Sequence, residues 1–175
     1  MSRFSVGKVR KRCAAMLDSL RLPQPFSASA LCAAIAEQRG RPLYVHPIDA
    51  HEDSGGLPCG MWVATDIADH IFVEQHTSAF HQDHIILHEL AHMLFEHSVV
   101  DLYDEPEQVV VDGEVDPSAV RQVLLRTSYT TEQEQEAELL ASLITAAAAA
   151  RLDAPASGTL GALETAMGYK RWHEG

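Results

Sequence analysis

His88 and His92, with Glu89 beside the first, are the residues of this chain whose types and spacing best suit chemistry. They stand as His88-Glu89-Leu90-Ala91-His92, an HExxH pattern, between Ile85-Ile86-Leu87 and Met93-Leu94-Phe95. Such a surround is helical in character, and on a helix residues i and i+4 lie one above the other. Both imidazoles can then reach one cation, and Glu89 can reach a water on it. That arrangement is expected of a zinc hydrolase, with two neutral imidazoles as ligands and a carboxylate as general base. Three fixed letters in five also arise by chance. The apolar flanks weigh against chance here, because three polar groups on a buried helix need partners and a metal satisfies all of them.

Catalytic zinc usually takes a third protein ligand. The run from Thr130 to Ile144 supplies candidates. Its first half alternates Glu and Gln, its second half is apolar, and Thr residues stand ready to cap its start. Glu134 and Glu138 are i and i+4 on one face, whereas Glu136 lies about 200° from Glu134, on the side of Leu140 and Leu143. One glutamate could ligate the metal, and a carboxylate one turn later could orient a ligand histidine through its other ring nitrogen. Acid-rich first turns are also ordinary, since they complement the helix dipole. Only the HExxH partner makes the ligand reading competitive.

Three blocks together resemble the ImmA/IrrE family of zinc metallopeptidase domains. They are Cys59 to Thr65 with Asp69 to Val73, the helix from Phe80 to His97 that carries the two histidines, and Glu134-Gln135-Glu136-Ala137-Glu138-Leu139-Leu140-Ala141. The resemblance covers roughly residues 40–147. It implies an α+β, zincin-like fold, mostly helical, with a small β-sheet packed on the HExxH helix. It implies His88 and His92 as zinc ligands, Glu89 as catalytic base and Glu134 as third ligand, with Glu136 as the alternative. Glu138 would stand behind a ligand histidine. The family has Asn or Asp where this chain has Glu138, one methylene longer than Asp, and Phe where it has Leu140.

The implied activity is a site-specific metallo-endopeptidase that cleaves a helix-turn-helix repressor or an antitoxin. No helix-turn-helix is legible in the chain itself, so that partner would be separate. A different class of reading is a zinc-holding sensor or regulator-binding module with little proteolysis. A third is the toxin component of a toxin–antitoxin pair.

The elements that must position these residues can be read around them. Residues 1–175 are expected to form one domain, with N-terminal helices in 1–40, the catalytic core in 41–152, and a short helix and tail in 153–175. Helices are expected at 3–20 and at 27–39, the second capped by Ser27 or Ser29 and ended by Gly40. A strand at 43–46 leads into Pro47, and 51–58 reads as a loop. Strands at 60–65 and 70–75 are joined by a turn at 66–69. Thr77 or Ser78 caps the HExxH helix. Residues 99–116 read as an acidic loop. Helices follow at 117–126, 131–152 and 159–168, then a tail from 169 to 175.

Composition bounds the rest. Net charge is −12, and eight Lys/Arg against two Asp/Glu in residues 1–45 leave −18 for the remainder. The cluster Lys8 to Arg12 reads as a solvated helix face, and direct nucleic-acid binding is not expected. The N-terminus does not read as a signal peptide, and no stretch is long and apolar enough to span a membrane. Cys13, Cys32 and Cys59 are odd in number and widely spaced. They read as small buried residues in a reducing compartment, which points to the cytoplasm. Seven of the ten histidines lie between His70 and His97. His81 and His84 read as polar positions on an exposed helix face. Tyr103 and Tyr129 are candidate oxyanion donors.

Overall fold

Side-chain caps and glycine set the ends of the helices. Ser27 is extended and accepts a hydrogen bond from the Ala30 backbone, which starts a helix that Gly40 ends in the left-handed region. Ser78 does the same for the helix that carries HExxH, accepting from the His81 backbone at 3.2 Å. The computed structural model describes residues 3–49, 59–97, 110–111, 114–115 and 129–152. Its elements are α1 (Arg3–Ser19), α2 (Ala28–Arg39), β1 (Leu43–Ile48), β2 (Gly60–Ala64), β3 (Asp69–Glu74), α3 (Ala79–Phe95), β4 (Val110–Val111), β5 (Glu114–Val115) and α4 (Thr131–Leu152). Among the described residues this is a mixed architecture of four helices and a small three-stranded sheet, compatible with α+β.

The sheet order is β1-β3-β2, with β1 parallel and β2 antiparallel to β3. Central β3 is buried from Asp69 to Val73. The expected strand at 43–46 runs two residues further, through Pro47 to Ile48. An edge position explains it, because proline lacks only a donor that an edge strand can spare. The turn between β2 and β3 is held by Arg41. Its guanidinium donates to the carbonyls of Thr65, Asp66 and Ala68 and to the buried Asp69 carboxylate, which also accepts from the Trp62 indole.

One core joins the helices to one face of the sheet. Val9 and Cys13 of α1, Leu31 and Ile35 of α2, Ile71 and Val73 of β3, Ile85 and Leu90 of α3, and Leu140 and Ile144 of α4 all belong to it. On α4 the buried positions Ala137, Leu140, Ala141, Ile144 and Ala148 follow the three-and-four spacing of one helix face. Small Ala137 and Ala141 are fully buried on that face, as is Ala91 on α3. The pairing of α3 with α4 brings the HExxH helix against the glutamate helix.

Two expectations need correction. Val110–Val111 and Glu114–Val115 pair antiparallel inside the stretch read as an acidic loop. Acid count obscured the signal, for Val110, Val111 and Val115 are β-branched residues that favour strands. Cys59 is exposed, while Cys13 and Cys32 are buried as expected. The expected loop 51–58, the helices 117–126 and 159–168, the tail 169–175 and Tyr103 lie outside the described residues. No helix of the described residues is long and apolar enough to cross a membrane.

Candidate metal centre

The buried face of α3 carries Ile85, Glu89 and His92, while His88 stands at its edge, half-buried. Across from them, α4 presents Glu134 from its first turn. The Nε2 atoms of His88 and His92 lie 3.1 Å apart. Glu134 Oε2 is 3.3 Å from His88 Nε2, and its Oε1 is 3.7 Å from His92 Nε2. These three side chains form a group whose ligand atoms all lie within 4.8 Å of one another, able to hold a metal ion. The alternative third ligand, Glu136, points elsewhere. It is buried, bound by Arg12 at 2.7 and 2.8 Å and by His97 Nε2 at 3.1 Å. Its place on the apolar stripe of α4 is thus satisfied by a cation and an imidazole of the chain itself.

Glu89 is buried beside the trio, and its Oε2 has no hydrogen-bond partner among the described residues. Burial, and then the negative charge of Glu134, push its carboxyl up to about 8, with a backbone hydrogen bond from Trp62 pulling the other way. Strand β2 makes room for it. A Cβ at Gly60 would stand 2.4 Å from Ile85 Cγ2 and 3.0 Å from Glu89 Oε1, so only glycine lets the strand cross the helix here. His92 is fully buried, and burial, with His88 and His97 nearby, pushes its imidazole down to about 3. It is a neutral imidazole across the physiological range, as a metal ligand must be.

Each histidine of the trio has a partner on its far nitrogen. Glu138 Oε2 lies 3.5 Å from His88 Nδ1 and 3.1 Å from His84 Nε2. Burial, the largest single influence, raises the Glu138 carboxyl, but the hydrogen bonds and charges of His84 and His88 together outweigh it and leave it below the ordinary value. His84 therefore belongs to the surroundings of the site, while His81 is exposed as expected. Behind His92, the Nδ1 atoms of His92 and His97 lie 3.0 Å apart. Tyr129 stacks on His92 with ring centres 3.7 Å apart, and its buried hydroxyl has no partner among the described residues. Burial, Glu89 and Glu134 all push that phenol upward, so it stays protonated and able to donate. An open groove lies against His88, Glu134 and Glu138 and is lined further by Gln135, Leu139 and Ser142.

The donor set fits a metal. Two imidazole nitrogens and a carboxylate converge, a buried carboxylate oxygen and a buried hydroxyl beside them lack partners among the described residues, and native interiors rarely leave such groups unmet. Sequence reasoning missed Gly60, His97 and Arg12. No family model, curated protein or solved structure matches the chain.

Proposed function

We propose that this protein is a zinc-dependent metallo-endopeptidase of the ImmA/IrrE kind, with a zincin-like fold and a cytoplasmic site of action. The observation that carries the reading is the convergence of His88, His92 and Glu134 beside a buried Glu89, one oxygen of which has no partner among the described residues. Two histidines and one glutamate are a donor set used by catalytic zinc, and His88, His92 and Glu134 would hold such an ion here. A zinc ion so held supplies Lewis acidity, which brings water to ionise near pH 7 (pKa about 7) and polarises a carbonyl.

The chain's own residues do the rest. The groove along Gln135 and Leu139 offers a place for an extended peptide next to the ligands. Glu89 accepts the proton of the attacking water and returns it to the leaving amine. A cation near Glu89 favours its charged form, which converts a carboxyl that is neutral at pH 7 into a base. The Tyr129 hydroxyl is placed to donate to an oxygen that gains charge. Glu138 holds His88 in orientation.

The resemblance of the three sequence blocks supports a narrow substrate, a separate helix-turn-helix repressor or antitoxin cut at one position. The test is co-expression with the helix-turn-helix regulator encoded nearest to this protein, followed by mass spectrometry of that regulator. A single defined cut with the wild type, absent with Glu89→Gln, is the expected result. A regulator bound but intact would replace the peptidase by a zinc-holding sensor. Equal cutting by the Gln variant would remove Glu89 from the mechanism.

A further inference from the structure

His92, the fully buried histidine of the pair, is tied to helix α1 by an unbroken line of side chains. His92 Nδ1 meets His97 Nδ1 at 3.0 Å, His97 Nε2 meets Glu136 Oε2 at 3.1 Å, and Arg12 of α1 donates to both Glu136 oxygens at 2.7 and 2.8 Å. His92, His97 and Glu136 are all buried, while Arg12 is half-exposed. The C-terminal cap of α3 puts His97 there. Glu96 adopts the left-handed conformation (φ 54°, ψ 43°) and the His97 backbone N–H returns to the His92 carbonyl at 3.0 Å. The chain therefore doubles back and sets the His97 ring against that of His92.

We infer that His97, Glu136 and Arg12 are positioning residues that fix the tautomer and orientation of His92 and thereby set the affinity of the metal site. This inference rests on the metal reading above. The reason is a proton count. His92 turns Nε2 towards His88 and Glu134, so a metal there needs Nε2 bare and the ring proton on Nδ1. That proton must be donated to His97 Nδ1, which must itself be bare. His97 then carries its proton on Nε2 and donates it to Glu136, and the Glu136 charge is held by the two bonds from Arg12. Every nitrogen and oxygen along the line has one consistent role, and the guanidinium, which cannot lose its proton, fixes the direction. A partner on the far nitrogen of a metal-bound histidine typically changes affinity about tenfold to hundredfold. Here a neutral imidazole is interposed between the ligand and the carboxylate, and the line ends on a helix that contributes no ligand.

Two measurements test it. The first needs no substitution: ring ¹⁵N spectra of the zinc-loaded protein are expected to show His92 protonated at Nδ1 only and His97 at Nε2 only. A proton on His97 Nδ1 would overturn the proposal. The second is zinc affinity by competition with a chromophoric chelator, for wild type, His97→Gln and Arg12→Gln, with the melting temperature of each metal-free protein alongside. We expect both variants to bind zinc about tenfold to hundredfold more weakly. An ordinary structural ion pair between α1 and α4 would lower the metal-free melting temperature of Arg12→Gln and leave its zinc affinity unchanged, and that result would also overturn it. Wild type that binds no zinc at all would instead sink the metal reading, and this inference with it.

Discussion

Glu89 shows how one buried carboxyl can govern the pH behaviour of a site. Its folded value, about 8, lies above the ordinary 4.5, so its contribution to stability is full below 4.5 and is lost as the pH rises to 8. His92 runs the other way. Its folded value, about 3, lies below the ordinary 6.5, so its contribution is full above 6.5 and is lost as the pH falls to 3. Between pH 6.5 and 8 only the Glu89 slope remains of the two. Metal-free protein is therefore expected to be less stable to urea at pH 8 than at pH 6.5, and Glu89→Gln is expected to flatten that fall. An equal fall in the variant would move its origin away from Glu89. The same substitution is expected to keep zinc and lower cleavage by roughly 10² to 10⁴, the usual range for loss of a general base.

At the scale of elements, the site depends on how closely β2 approaches α3. Gly60→Ala would drive a methyl into Ile85 Cγ2, a buried branched side chain with little room to rotate, and towards Glu89. We expect a loss of about 1 to 3 kcal/mol of stability in chemical denaturation, as is typical for overpacking, together with weaker cleavage at unchanged zinc content. Unchanged stability would mean that β2 stands further from α3 than described. The helices themselves were legible. The i, i+4 spacing of His88 and His92, the Ser27 and Ser78 caps, the Gly40 stop and the facing of Glu134 and Glu138 are all local properties of the sequence, and they appear where local physics puts them. What lay beyond sequence reading was the crossing of elements. Nothing near Gly60 in the chain announces that Ile85, 25 residues later on α3, needs the space of its missing side chain. Likewise, the parallel pairing of β1 with β3 follows from packing, and no turn residue encodes it.

Across the whole molecule, the uneven charge acquires a structural meaning. Within the basic N-terminal segment, residues 1–45, the cluster Lys8 to Arg12 read as a solvated face, and its Lys8, Arg10 and Lys11 are exposed. Three of the segment's other cations reach into the acidic remainder. Arg12 binds Glu136, and Arg39 and Arg41 approach Asp69 at 3.8 and 3.0 Å. Asp69 and Glu136 are both buried, and a buried carboxylate that lost its partner would be strongly destabilising. These pairs join residues up to 124 positions apart, which is why spacing could not reveal them. The whole arrangement packs α1 against α4, α4 against α3, and β2 against α3, so that His88, His92 and Glu134 come together beside the buried Glu89. The most direct test of that convergence is metal analysis of the purified protein beside His88→Ala and Glu134→Gln. About one zinc per wild-type chain is expected, as for a catalytic site with three protein ligands. The His88 variant should hold almost none, and the Glu134 variant should bind far more weakly. Equal zinc in all three proteins would contradict the account.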